Sequence, residues 1–316
     1  MRNRRVCVVG GSGFIGRYVV KRLAERGAVV SVVSRHATEA RFLKPMGDVG
    51  QIALIDAGLG DEAVLASALE GASAVVSSVG ILSERGRQRF PLLHVDGPAR
   101  VARLAAAAGA KHLVHISALS ADARSASAYA RSKAKGEAAV KAAFPAAIIL
   151  RPSLVFGPED DFFNRFAAMA RLAPALPLVG GGTTRFQPVY VGDVADAVMA
   201  ALEQPEAAGK IYELGGPAVL SFRALMDLML AEIGRRRLLV PLPYELASVM
   251  AFFMEFMPKP MLTRDQVKLL RTDTVVAPGA PGLAELGITP TTLELVLPTY
   301  LNRFRRSDRM RPHQVL

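Results

Sequence analysis

The chain has 316 residues, with 39 Lys and Arg against 28 Asp and Glu, and a net charge of +11. An apolar fraction of 51% against 21% charged residues excludes a disordered chain, and a single cysteine, Cys7, excludes a disulfide scaffold or a thiolate zinc site, so no metal is expected and a reducing compartment fits. No apolar run reaches the roughly 20 residues of a spanning helix, and the low aromatic content without zinc-finger or RNA-binding spacing turns the charge away from nucleic acid.

The basic start MRNRR is read as mature protein, because glycines interrupt the apolar stretch VCVVGGSGFIG that follows it. Strand Arg5–Val9 runs into Gly10-Gly-Ser12-Gly13-Phe14-Ile15-Gly16 and on into helix Phe14–Arg26. Glycines spaced G-x-x-G-x-x-G between a strand and a helix suit a dinucleotide. The first permits the tight turn, the second lets backbone approach a pyrophosphate, and the third allows close helix packing. The phosphates would rest on the free N–H groups of the helix start; the plain alternative is a glycine-rich turn with no ligand. The second strand, Val29–Ser34, ends in Ser34-Arg35. A free ribose 2′-hydroxyl usually meets a carboxylate at this point, whereas a hydroxyl and a guanidinium suit a 2′-phosphate. NADP(H) is therefore expected over NAD(H), unless Arg35 only faces solvent. Asp56, after strand Gln51–Ile55, is placed either to reach the adenine edge or to start a loop. Helix Asp61–Leu69 and strand Ala74–Val79 follow. Val79-Gly80 would line the floor under the adenine-side ribose, or Gly80 would serve only a turn.

A basic loop, Glu84–Arg89, precedes helix Val95–Ala108, strand His112–Ser117, helix Ala128–Ala143 and strand Ala147–Leu150. Tyr129 and Lys133 stand one helical turn apart on one face. A lysine beside a phenol lowers its pKa and can hold a nicotinamide ribose, so that the phenol passes a proton as a hydride moves. Ser117 is positioned to polarise a carbonyl, although a serine at a strand end is also commonplace, and the Tyr–Lys spacing alone is a weak signal. Apolar strands alternating with helices predict an α/β fold, a doubly wound parallel sheet covered on both faces, with its ligand at the strand C-terminal ends.

Beyond residue 155 the alternation loosens. Pro174, Pro177 and Gly180–Gly182 mark loops, and a strand Arg185–Val191 leads to Asp193, the expected N-cap of helix Val194–Glu203. From Ser221 the chain reads as mostly helical: Phe222–Ile233, Tyr244–Met257, Arg264–Arg271 and Thr291–Phe304. Residues 1–220 are thus taken as a Rossmann nucleotide-binding domain and 221–316 as a helical cap with a basic tail. Segment Tyr244–Met257 is apolar on nearly all sides but too short to span a bilayer. It reads as a core helix of the cap, the commonest case for such a segment, or as a partner-binding or interfacial surface. Arg235–Arg237 before it, and Arg303, Arg305, Arg306, Arg309 and Arg311 at the end, would each add about 1 kcal/mol at an anionic membrane surface, or form a solvated end.

GGSGFIG, Ser117, YARSK, the segment Arg151-Pro152-Ser153-Leu-Val-Phe-Gly-Pro158 and the run from Phe186 to Asp193 together resemble the short-chain dehydrogenase/reductase superfamily, in its extended or atypical branch. The resemblance implies Ser117, Tyr129 and Lys133 as catalytic residues and places Pro152 and Ser153 beside the nicotinamide. Where extended members carry Asn in an N-x-x-G pattern, this chain has His94-Val-Asp-Gly97, which removes the usual support of the proton relay. Four longer stretches, SAYARSKAKGE, ILRPSLVFGPEDDFFNRF, TRFQPVYVGDVADAV and LTRDQVKLLRTDTVV, are similar to the NADPH-binding accessory subunits of respiratory complex I and their bacterial relatives. That likeness implies NADPH held rather than turned over, contact with complex I subunits where the hydrophilic and membrane arms meet, and a cytoplasmic protein peripheral to the inner membrane. Two other readings stand beside it: an active NADP-dependent reductase or epimerase on a small or quinone- or isoprenoid-like substrate, and an NADP(H) sensor that binds a partner protein.

Overall fold

Val6 and Val8 face one side of the first strand and Cys7 and Val9 the other, and all four are buried. A strand apolar on both faces belongs in the interior of a sheet covered on both sides. The computed structural model, which describes residues 1–257 and 260–305, places it there. β1 (Arg5–Val9), β2 (Val29–Ser34), β3 (Ile52–Asp56), β4 (Ala74–Ser77), β5 (His112–Ile116), β6 (Ile148–Pro152) and β11 (Ile211–Leu214) form one parallel sheet in the order β11-β6-β5-β4-β1-β2-β3. β1 pairs with β2 on one side, Val6 beside Val30, and with β4 on the other, Val6 beside Ala74. The strand order reverses at β1, so a crevice opens at the C-terminal ends of β1 and β4.

Helices α1 (Phe14–Glu25) and α6 (Val191–Glu203) bury Val19, Leu23, Val194 and Val198 against one face. Helices α2 (Glu62–Leu69), α3 (Gly97–Ala107) and α4 (Ala128–Ala143) bury Leu65, Val101 and Val140 against the other. A separate core gathers Phe156, Phe163, Leu176, Leu178, Met226 and Leu297. Around it lie α5 (Phe162–Leu172), α7 (Phe222–Glu232) and α10 (Leu293–Leu301).

The doubly wound sheet is as expected, but several elements differ. Ile211–Leu214 is a seventh strand that the sequence reading passed over. Ala175–Val179, expected as loop because of its prolines, is strand β8 and pairs in parallel with β13 (Leu238–Leu242), a strand between two expected helices of the mostly helical part. Pro177 and Pro241 are tolerated because this ladder has only two strands, so a missing N–H can face outward. The strand expected over Arg185–Val191 is broken at Gln187-Pro188. β9 (Arg185–Phe186) pairs with β12 (Leu220–Ser221), and β10 (Val189–Tyr190) with β7 (Val155–Phe156). Helix α6 then starts at Val191 with Tyr190 as its N-cap, so Asp193 is not the cap. Its carboxylate instead accepts the backbone N–H and hydroxyl of Thr291, at 2.7 and 2.8 Å.

Helix α8 (Tyr244–Met254) overturns the core reading of its segment. It buries only Ala247 and Ala251, one turn apart, while Leu246, Val249, Phe252 and Phe253 are exposed. Phe256, Met257 and Met261 continue the exposed apolar surface beyond its end. Most of the described basic residues expected to flank it are engaged in hydrogen bonds or an ion pair within the chain. Arg235 and Arg237 donate to the Phe304 and Ala170 carbonyls, Arg303 to Asn164, and Arg305 pairs with Glu232. Arg306, Arg309 and Arg311 lie outside the described residues, as do the two residues 258 and 259 after the α8 segment.

Candidate functional site

In the turn from β1 to α1, Gly10 and Gly16 leave no room for a larger residue. Gly10 has φ +85°, and a Cβ there would lie 2.8 Å from Val79 Cγ2. At Gly16 a Cβ would come within 2.3 Å of the Gly10 carbonyl oxygen. Gly13 is the N-cap of α1, without a side chain to cap it and without an acidic residue in the first turn. The helix start beside Phe14 and Ile15 is therefore open to an anion. Ser12 and Ser34 share a hydrogen bond of 2.8 Å between their hydroxyls, which ties the end of β2 to this turn.

Arg35 is exposed at the mouth, with no acidic partner among the described residues. Arg17, which the sequence reading did not single out, stands at the same turn. Its guanidinium reaches the Ser12 carbonyl at 3.4 Å, pairs with Glu159 at 3.3 Å, and lies over the Phe42 ring. Asp56 accepts the Ala37 amide at 3.4 Å. Val79 packs on Gly10. Gly80 is exposed beside His94 with an ordinary backbone conformation, so no turn requires a glycine there.

Across the crevice, Tyr129 and Lys133 project from α4. Lys133 is buried, its ammonium donates to the Ile116 carbonyl at 2.9 Å, and burial pushes its pKa down to about 8 against the pull of Glu137. Burial pushes the Tyr129 phenol up to about 12. The lowered phenol expected from the lysine neighbour is not found, because burial disfavours the phenolate. The Ser117 hydroxyl is buried and has no hydrogen-bond partner among the described residues.

His94 occupies the position where the resemblance leads one to expect Asn. Residues Pro91–Asp96 wind as a π-helix, a local widening often found at functional sites, and bring the imidazole inward. Its Nε2 accepts the Ile81 N–H at 3.1 Å, and its Nδ1 lies 2.8 Å from Ser132 Oγ, which donates to the Tyr129 carbonyl at 2.7 Å. Ser132 has one proton and it is spent on that carbonyl, so Nδ1 carries the imidazole proton and the ring is neutral. Burial first, and then Lys133, push its pKa down to about 3. The ring stacks on Phe90 and meets Tyr129 edge to face. Helix α4 approaches this turn so closely that a Cβ on Gly136 would lie 1.9 Å from the His94 carbonyl oxygen.

Pro152 ends β6, and its carbonyl accepts the Leu119 amide. The Ser153 hydroxyl, expected beside a nicotinamide, donates to the Thr274 carbonyl at 2.9 Å and ties β6 to the C-terminal segment. That segment supplies another residue missed from sequence, Asp265 at the start of α9 (Arg264–Leu269). Its carboxylate accepts the Ser127 hydroxyl and the Ala128 amide, each at 2.7 Å, and the Tyr129 amide at 3.0 Å. The T-R-D-Q capping-box pattern of residues 263–266 was visible, but it announces a helix start and not what the aspartate touches.

Comparison with known proteins agrees with this architecture. The profile of the NAD dependent epimerase/dehydratase family matches residues 6–215. The chain is 35% identical over 301 residues to the mouse protein named NADH dehydrogenase [ubiquinone] 1 alpha subcomplex subunit 9, mitochondrial, covering 94% of this chain and 80% of that one. The Arabidopsis thaliana protein of the same name is 35% identical over 315 residues, 95% of this chain and 77% of that one. Among solved structures, the UDP-glucose 4-epimerase of Thermus thermophilus in complex with NAD shares the fold, with TM-score 0.69 and 21% identity over 96% of this chain and 99% of that one. With its glycine turn, its Tyr–Lys helix and a likeness that runs into the C-terminal part, the chain belongs to the NAD dependent epimerase/dehydratase family, in the branch of the alpha subcomplex subunit 9 proteins.

Proposed function

We propose that this protein is an accessory subunit of respiratory complex I, or a factor for its assembly or stability, that holds NADP(H) without turning it over. The observation that carries the docking part is α8. Its exposed Phe and Met surface is a face that a monomer in water would ordinarily bury. The relatives named as complex I subunits support the same reading, since the likeness runs through this part of the chain.

The residues of the crevice fit the cofactor: a glycine cradle that any Cβ would fill, and a buried Ser117 hydroxyl with nothing described to bond it. Gly10, Ser12, Gly13, Phe14, Ile15 and Gly16 would hold the pyrophosphate, Ser34 and Arg35 the 2′-phosphate, and Val79 and Gly80 the adenine-side ribose, with Asp56 at the adenine edge. Tyr129 and Lys133 would hold the nicotinamide ribose, with Pro152 and Ser153 beside the ring. The bound cofactor would supply a hydride. The absence of turnover is read from the relay position, where His94 replaces the usual Asn and is fixed as a neutral ring by its bonds to Ile81 and Ser132. Residues 1–220 carry the nucleotide site and 221–316 the docking part, which would seat the protein peripherally on the cytoplasmic side of the inner membrane. Among the described residues no helix is long and apolar enough to cross a membrane.

A second reading, an active NADP-dependent reductase on a quinone- or isoprenoid-like carbonyl, is favoured by the buried, unpartnered Ser117 hydroxyl beside an intact Tyr–Lys pair. One experiment separates the two. The purified protein is assayed for co-purifying nucleotide, and NADPH absorbance is followed over hours with candidate carbonyl compounds. Retained NADPH that none of them oxidises, together with recovery in the respiratory membrane fraction, supports the accessory reading. Oxidation that disappears in Tyr129→Phe overturns it.

A further inference from the structure

The first turn of α4 is held from outside the nucleotide-binding half of the chain. Ser127 caps the Ala130 amide with its own hydroxyl oxygen, but the Ala128 and Tyr129 amides, one step earlier, both donate to Asp265. Both carboxylate oxygens are thus committed to the residue that presents the phenol and to its two predecessors. An anion at the positive end of a helix holds it firmly.

Asp265 is itself placed from the direction of α8. The adjacent Arg264 donates its backbone N–H to Glu255 at 2.8 Å and its Nε to the same carboxylate at 3.0 Å, and its guanidinium lies over the Phe252 ring. Glu255 ends α8, and Phe252 belongs to its exposed apolar face. A continuous path therefore runs from that face through Glu255, Arg264 and Asp265 to Tyr129. The first turn of α8 is anchored separately, Tyr244 donating to the Leu270 carbonyl at 3.0 Å and Glu245 pairing with Arg271 at 3.0 Å. Its buried apolar cluster has only Val179, Ala247, Ala251 and Val267 at its centre. Beside it, Ser248, Glu255, Arg264, Asp265 and Lys268 line an open cavity of about 430 Å³. The C-terminal end of α8, away from that first turn, has room to settle differently when its apolar face is covered, and the Asp265 carboxylate follows through Arg264.

We propose that Asp265 is a positioning residue for Tyr129 that couples the exposed face of α8 to the nucleotide site, an inference that rests on reading that site as a holder of NADP(H). Coupling is reciprocal: what covers α8 alters nucleotide affinity, and nucleotide alters the order of α8.

The test uses the full chain and the variants Glu255→Ala, Asp265→Ala and Asp265→Asn, with amide hydrogen exchange and NADPH titration as readouts. Glu255→Ala touches neither α4 nor the nucleotide residues. It is expected to speed exchange at Ala128 and Tyr129 and to weaken NADPH binding about fivefold. Asp265→Ala is expected to do the same more strongly, and Asp265→Asn, which keeps one acceptor oxygen, to fall between. In the wild type NADPH is expected to slow exchange across α8, and in Asp265→Ala it is not, a difference that a plain stabilising cap would not produce. Unaltered exchange at Ala128 and Tyr129 in Glu255→Ala overturns the coupling, and that variant decides the matter even where Asp265→Ala fails to fold. A wild type that binds no NADPH overturns the cofactor reading alone, since the exchange comparison needs no nucleotide.

Discussion

Single residues decide what this site can hold. Arg35 stands where a carboxylate would select a free ribose hydroxyl. Arg35→Ala is expected to weaken NADPH binding by about ten- to a hundredfold and to leave NADH within about twofold, as measured by calorimetric titration. Equal losses would remove the 2′-phosphate from Arg35. His94 carries a pH dependence whose sign follows from its burial. Its pKa is pushed from 6.5 in the unfolded chain down to about 3 when folded, so between those values the unfolded state binds the extra proton. Its share of the stability is complete above pH 6.5 and is lost as the pH falls towards 3, up to about 4–5 kcal/mol at about 1.4 kcal/mol per unit. Denaturant midpoints of His94→Asn should therefore fall less steeply through this window than those of the wild type. Some of the slope will remain, because buried His115 is pushed down as well. At this scale the glycine turn, Ser117, Tyr129 and Lys133 were legible, since each belongs to a local pattern. Arg17, Ser132, Gly136 and Asp265 were not, because what matters about them is the residue they touch far along the chain.

At the scale of elements, hydrophobic patterning worked where strands have two buried faces and failed where it had to choose between burial partners. β1, β2 and β5 are continuous apolar runs and were found nearly to the residue. β8 was missed because Pro177 marks a loop, and only pairing with β13 in a two-stranded ladder accommodates Pro177 and Pro241. α8 shows the other side of the problem. Its composition is that of a core helix, yet Ala247 and Ala251 are its only buried residues, so Leu246, Val249, Phe252 and Phe253 are left for another surface. Phe253→Asp combined with Phe256→Asp is expected to remove the protein from the respiratory membrane fraction while leaving unfolding free energy within about 0.5 kcal/mol, as for other exposed positions. A large loss of stability would show instead that this face is packed within the chain.

For the whole molecule, the net charge of +11 is the excess left after every acidic residue is matched, and the basic residues nearest α8 are already paired. Beside α8, Arg264 and Arg271 are paired with Glu255 and Glu245, and Arg305 is paired with Glu232. Attachment through α8 is therefore expected to be apolar in character. The protein should remain with membranes at about 1 M salt, where the screening length is about 3 Å, and leave with mild detergent. Release by salt alone would assign attachment to charge. By itself the sequence determined the parallel α/β sheet, the dinucleotide turn and the Tyr–Lys pair, because strand burial, glycine conformation and helical spacing are local and repeat at short intervals. The tertiary structure alone decided that His94 is a locked neutral ring, that Lys133 donates to the Ile116 carbonyl, that α8 faces outward and that Asp265 holds the start of α4. Each of these depends on contacts between residues distant in the chain, and such contacts leave no periodic trace in composition or spacing.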